Sequence, residues 1–294
     1  MLDVSSKNLL QAVFQTLAYA DVFDYPLTAP EVHRYLPSQR TSLEEVELAL
    51  AAKTVFSKHG EYFTLRGREE IAKTRIQRSA IAARLWPKAA RYGRVIAMLP
   101  FVRMVAVTGS LAMSNPDEGH DVDYMIITAP NRLWTCRAFS LLITRVAKLE
   151  GVSLCPNYLV TTNALALQEH SLYVAHEVAQ MIPISGMETY TQLCQQNDWI
   201  QEYLPNAALP PEYPNAVKQM RRPSVLQRIL EIILRLPFGD WFERWEMDRK
   251  IKRLSREQSS SFESYFSADV CKGHVDRHGE NIVSALAVRL QKTT

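Results

Sequence analysis

The stretch richest in chemistry is Val107-Thr108-Gly109-Ser110, followed by ten residues from Leu111 to His120 and then Asp121-Val122-Asp123. In an extended strand, side chains two residues apart project from one face, so Asp121 and Asp123 can converge while Val122 points into the core. Two carboxylates so placed suit a divalent cation. Magnesium takes hard oxygen ligands, keeps waters and is readily completed by substrate phosphates, and manganese can take its place. Such an ion bridges the phosphates of a nucleotide and lowers the pKa of an attacking hydroxyl. Gly109 allows close approach of backbone to a phosphate, and the Ser110 hydroxyl with neighbouring amides can donate to phosphate oxygens. An isolated Asp-x-Asp is common by chance. Here it opens a predicted strand and comes after another that ends in Gly-Ser, the context this chemistry requires.

The elements that position these residues are readable from periodicity. Arg103 to Thr108 and Val122 to Thr128 are β-rich, Arg132 to Leu149 has helical spacing, and Leu154 to Thr161 reads as a third strand. Helices are predicted at Leu172 to Met181, Met187 to Gln196, Ser224 to Leu236, Trp241 to Leu254 and Asn281 to Leu290. Upstream, Leu9, Leu10, Val13, Phe14, Leu17 and Ala18 mark an amphipathic helix between Lys7 and Asp21. Thr28 with Glu31 forms a capping-box pattern for a helix over Pro30 to Leu36, which Pro37 stops. Thr41 starts a third helix running to Lys53, and Val55-Phe56, His59-Gly60 and Tyr62 to Leu65 suggest a hairpin. Three helices and a hairpin read as a winged helix. Its third helix displays Glu44, Glu45 and Glu47, which would repel phosphates, so DNA binding is disfavoured relative to packing or protein contact.

Charge is uneven along the chain. Residues 1–66 carry six basic groups against eight acids, whereas residues 68–94 carry eight against two. The second segment reads as a long helix with Pro87 as a kink, solvated or else attracting phosphates to the adjacent site.

The pattern of a hydrophobic residue, Gly109-Ser110, a spacer and Asp121-Val122-Asp123 resembles the nucleotidyltransferase superfamily related to DNA polymerase beta. The segments Leu17 to Thr28, Asn197 to Ile200 and Tyr203 to Asn206 look like a bacterial subgroup with an N-terminal winged helix. The resemblance implies an α+β fold: a small mixed-sheet nucleotidyltransferase core, an N-terminal winged-helix module and a helical C-terminal region. It implies transfer of a nucleoside monophosphate from a triphosphate such as ATP to an acceptor, with pyrophosphate leaving. By carry-over, Asp121 and Asp123 are the catalytic pair and bind magnesium, while Gly109 and Ser110 hold the triphosphate. The superfamily usually supplies a third carboxylate from a later strand, where this chain offers Asn157. An amide can ligate a metal but cannot take a proton as a carboxylate does. Glu177, Glu118 and His120 are the candidate substitutes, each also readable as a plain surface or helix group.

Cys271, His274 and His278 have metal-like spacing but lack a fourth ligand, and Lys272-Gly273-His274 could instead contact phosphate. Between Val225 and Trp245 an apolar and aromatic stretch is flanked by arginines and lysines. Core packing with a solvated basic rim is the expected explanation, with an anionic membrane or RNA as the alternative.

The chain has 294 residues, 47% of them hydrophobic and 22% charged, a net charge of +3 and a sequence pI near 8.6. Those values exclude disorder, collagen and a disulfide scaffold, and are too mild to demand a polyanion partner. No apolar run approaches the roughly 20 residues of a spanning helix, and no signal-peptide pattern opens the chain, so a cytoplasmic location with reduced thiols is expected. Walker A, G-x-G-x-x-G and G-x-S-x-G patterns are absent, which disfavours ATPase, dehydrogenase and hydrolase readings. The expected organisation is a winged-helix-like module at 1–66, a basic connecting helix at 67–100, the catalytic core at 101–206 and a helical region at 207–294. The expected function is a magnesium-dependent nucleotidyltransferase whose acceptor is a small molecule, protein or RNA. The alternatives are a nucleotide-binding regulator that contacts DNA or protein through its winged helix, and a transferase acting on RNA. Base preference, acceptor and oligomeric state are not legible in the sequence.

Overall fold

The computed structural model describes residues 4–52, 55–119, 121–207, 211, 214–215, 217, 224–257, 265–273 and 278–291. The first unit combines α1 (Val4–Asp21), β1 (Leu27–Thr28), α2 (Ala29–Arg34), α3 (Leu43–Ala51), β2 (Phe56–His59) and β3 (Tyr62–Leu65). Its three strands form an antiparallel sheet in the order β1-β3-β2. Thr28 caps α2 with the full capping box to Glu31 that the sequence pattern predicts. The third helix differs by one step from expectation. Ser42, not Thr41, is its N-cap, and Glu45 completes a second capping box, so that glutamate is engaged with the start of its own helix. Val13, Leu17, Leu27, Val32, Leu36, Val46 and Leu50 close the core of this unit.

α4 (Ile71–Ala97) runs through Pro87 and then feeds the main sheet. Its arginines are largely engaged within the fold. Arg68, just before it, pairs with Asp21, Asp24 and Glu70, Arg75 with Glu31 at 2.7 Å, Arg78 with Asp117 at 2.5 Å, and Arg91 with Glu150. The Arg75 guanidinium also lies 3.8 Å over the Tyr25 ring. These pairs join the first unit to α4 and α4 to the main body, and they leave fewer free cations for phosphate attraction than the basic run suggests.

The main body comprises β4 (Val102–Thr108), α5 (Gly109–Ala112), β5 (Val122–Thr128), α6 (Leu133–Leu149), β6 (Leu154–Thr161), α7 (Leu172–Gln180), β7 (Ile182–Ser185), α8 (Met187–Gln196) and α9 (Ile200–Tyr203). It continues through α10 (Val225–Leu234), α11 (Pro237–Glu257), β8 (Tyr265–Phe266), β9 (Val270–Lys272) and α12 (His278–Gln291). The six strands lie in the order β7-β4-β5-β6-β9-β8, with β5 and β6 parallel and the other pairs antiparallel. The protein is therefore α+β with a mixed sheet.

Strand alternation divides the core into two layers. Val105, Val107, Tyr124, Ile126 and Leu159 face α4 and α6, and the Tyr124 hydroxyl donates to Ala89 O at 2.7 Å. Met104, Ala106, Met125, Ile127 and Val160 face the layer built by α7, α8 and α9. Burying this many large apolar side chains, at roughly 1.5–3 kcal/mol each, supplies the main drive to this arrangement.

The structure corrects two expectations. The C-terminal region is not purely helical: β8 and β9 join the central sheet beside β6. Runs of two and three residues are too short for a periodicity signal, and pairing with β6 is what makes them strands. Second, the apolar stretch from Val225 to Trp245 is mostly not core, Leu234 being the part that packs against it. Val225, Leu226, Ile232, Trp241 and Trp245 are all exposed, whereas Gln227, Glu243 and Glu246 are buried. No helix among the described residues is long and apolar enough to cross a membrane.

Candidate functional site

The site forms where β4 ends and β5 begins. The antiparallel register sets Thr108 opposite Asp123, so the turn after Thr108 lands against the Asp123 carboxylate. Gly109 makes that turn with φ of +64°, in the left-handed region that glycine tolerates best. A Cβ at Gly109 would stand 2.5 Å from Asp123 Oδ2, so the position excludes any side chain while the carboxylate holds its place. The next residue carries an orphan: Ser110 Oγ is buried without a hydrogen-bond partner. A buried hydroxyl with no partner is unusual and marks a donor available to a ligand.

Asn157 reaches the same point through an irregularity. Asp123 pairs with Cys155 and Met125 with Tyr158, so three steps on β6 oppose two on β5. This bulge, at Pro156-Asn157, breaks the alternation and lets Asn157 and Tyr158 line the same cavity. Asn157 Nδ2 donates to Asp123 Oδ1 at 3.0 Å.

The electrostatics share one sign. Burial, and then the charge of Asp121, push the Asp123 carboxyl up to about 7. Burial, followed by Asp123 and Asp121, pushes the Cys155 thiol up to about 12. Glu177 on α7 rises to about 7, first through burial and then through Asp123, with Lys272 opposing the shift. Asp121 itself is exposed. Negative potential shared by these carboxyl groups favours a cation. Among the described residues no three His, Cys, Asp or Glu side chains gather closely enough to cage an ion alone. A hard divalent ion held by only two carboxylates takes the rest of its shell from water or substrate oxygens.

A cavity of about 1350 Å³ opens on the α7 side of the sheet, bordered by Thr108, Met125, Asn157, Tyr158, Glu177 and Lys272 among others. Lys272 arrives on β9, opposite Tyr158, and pairs with Glu169 at 3.3 Å. Burial, with Glu169 second, pushes the Tyr158 hydroxyl up to about 12, so it stays a neutral donor.

The structure thus brings together Gly109, Ser110, Asp123 and Asn157, with Glu177 and Lys272 on the adjoining cavity wall. Glu118 is exposed in a turn away from any such enclosure. His120 and His274 lie outside the described residues. Cys271 is buried on β9 opposite Leu159, in the apolar layer toward α4 and α6, which gives no support to a zinc cluster. Sequence reasoning missed Glu169 and Tyr158. Nothing local distinguishes either, and only the arrival of β9 next to β6 places them beside Lys272.

Compared with known proteins, the chain matches no family model, and no curated protein or solved structure is significantly similar to it.

Proposed function

We propose that this protein is a nucleotidyltransferase that moves a nucleoside monophosphate from a triphosphate to an acceptor, built on a nucleotidyltransferase-type core with a winged-helix-like first unit. The observation that carries the reading is the Gly109 turn closed against the Asp123 carboxylate across paired strands, beside the unpartnered Ser110 hydroxyl. A scaffold needing only a tight turn has no use for a hydroxyl left unsatisfied next to two mutually repelling carboxylates.

In this reading Asp121 and Asp123 hold a magnesium or manganese ion, which when bound neutralises triphosphate charge and charge developing at the α-phosphorus. Ser110 Oγ donates to a phosphate oxygen. Gly109 keeps the wall flat enough for that phosphate to approach. Asn157, through its hydrogen bond, orients the Asp123 carboxylate toward the ion. Glu177, whose carboxyl is held near neutral pH, takes the acceptor's proton from the cavity side, the role for which Asn157 is chemically unfit. Its raised pKa matches a base working near pH 7.

One observation favours a second reading. Asn157 occupies the position beside Asp123 where a third carboxylate would complete a transferase, which suits a nucleotide-binding regulator that does not turn over. Calorimetric titration of each ribonucleoside triphosphate, with and without magnesium, tests both readings against an Asp121→Asn/Asp123→Asn variant. Metal-dependent binding lost in the variant supports the site, and pyrophosphate release in the presence of candidate acceptors separates transferase from regulator. Triphosphate binding and turnover that survive in the double variant would refute the assignment.

A further inference from the structure

α10 and α11 are attached to the body by polar side chains together with Leu234, Met247 and Ile251, which pack against the core. Gln227 Nε2 donates to Leu99 O at 2.9 Å, and Glu231 accepts from the Phe101 amide at 2.8 Å and pairs with Arg103 at 2.8 Å. Glu243 accepts from the amides of Trp134 and Thr135 at 2.9 and 2.7 Å. These anchors fix the rotation of both helices, and most of the apolar side turns outward. Leu226 is 65% exposed, Ile232 67% and Trp241 61%. Ile229, Phe238 and Trp245 continue the face, and Trp241 stacks on Trp245 with centroids 6.1 Å apart.

The charge on this pair of helices is sorted in the same inverted way. Glu231, Glu243 and Glu246 are drawn inward, and Asp240 pairs with Arg132 at 2.5 Å. Arg228, Arg235, Arg244 and Lys252 stay exposed, opposed on the outer side by Asp248. A helix of ten residues cannot span a bilayer, but an apolar face with tryptophans and a basic flank is the composition of a helix lying in the membrane interface. A second copy of the chain fits less well. A two-fold contact would set the same basic patch, carrying Arg228, Arg235 and Arg244, against itself.

We propose that α10 and the first turns of α11 form an in-plane anchor that seats on an anionic phospholipid surface, with Trp241 and Trp245 at headgroup level. The proposal does not depend on the nucleotide site. It is tested with the full chain, by cosedimentation and intrinsic fluorescence, using vesicles of phosphatidylcholine alone and vesicles containing phosphatidylglycerol. Trp86, Trp134 and Trp199 are buried, so a blue shift on binding reports Trp241 and Trp245. Binding to the anionic vesicles with a blue shift, weakened by salt, is expected. The Trp241→Ser/Trp245→Ser and Arg228→Glu/Arg244→Glu variants should each bind roughly tenfold more weakly or worse. Circular dichroism and an unchanged urea midpoint establish that they remain folded. Equal affinity for neutral and anionic vesicles, no binding to either, or a lipid-independent dimer abolished by the tryptophan variant would overturn the proposal.

Discussion

Asp123→Asn should stabilise the fold in a pH-dependent way. The Asp123 carboxyl stands at about 7 in the folded chain against an ordinary 3.8. Each unit corresponds to about 1.36 kcal/mol, so at pH 8, where the group is ionised in both states, the charge costs the fold roughly 4 kcal/mol. At pH 5 only the unfolded chain ionises fully, and the cost shrinks to roughly 1–2 kcal/mol. Because the folded pKa is raised, the stability associated with the neutral acid is complete below about 3.8 and disappears as pH rises through about 7. Asparagine removes the charge, preserves the volume and retains an Oδ1 to accept from Asn157, whose bond to Asp123 measures 3.0 Å. The same change relieves Glu177, which Asp123 raises after burial. The expected gain for Asp123→Asn is therefore roughly 2–4 kcal/mol at pH 8 and at most about half of that at pH 5. Urea denaturation of both proteins at pH 5, 6.5 and 8 without divalent ions measures it. A variant less stable than wild type at pH 8, or a gain that is the same at every pH, would refute the electrostatic reasoning. Under the proposed function, added magnesium narrows the gap by stabilising the wild type alone.

Three other substitutions have expected outcomes. Gly109→Ala would place a methyl 2.5 Å from Asp123 Oδ2 at a φ of +64°, so a loss of about 1–3 kcal/mol and of triphosphate binding is expected by urea denaturation and calorimetry. Glu177→Gln should lower kcat for pyrophosphate release at least roughly tenfold, leave the triphosphate KM within about twofold and remove Glu177's share of the pH dependence near neutrality, leaving that of Asp123. An unchanged rate would exclude Glu177 as the base. Glu243→Ala leaves the Trp134 and Thr135 amides unpaired at the start of α6, for an expected cost of about 2–3 kcal/mol, and Glu243→Gln should recover part of it.

Much of the scaffold is legible in the sequence because the information is local. The helical spacing of Leu9 to Ala18, the Thr28–Glu31 capping box, the hairpin around His59-Gly60 and the β-rich runs ending at Thr108 and Thr128 all read correctly within a few residues. The meeting of Gly109 with Asp123 is also foreseeable, since a strand ending in Gly-Ser and a strand opened by Asp-x-Asp invite pairing. Context is what a local reading lacks. Ile182-Pro183-Ile184-Ser185 and Val270-Cys271-Lys272 are strands because neighbouring edges receive them. The stretch from Val225 to Trp245 has the spacing of a buried helix but turns most of its apolar side out: Leu234 packs on the core, while its glutamates and Gln227 find polar partners on the body and Leu226, Trp241 and Trp245 stay exposed.

Side-chain type and period thus determined which residues could bind a cation and a phosphate, for those properties depend on chemistry and near neighbours alone. Tertiary structure decided which of them share an enclosure. A bulge on β6 turned Asn157 to Asp123, β9 carried in Lys272 from a distant part of the chain, and burial beside a like charge moved two carboxyl groups toward neutral pH. Strand register and local dielectric are set by contacts between segments far apart in sequence, and no window along the chain contains them.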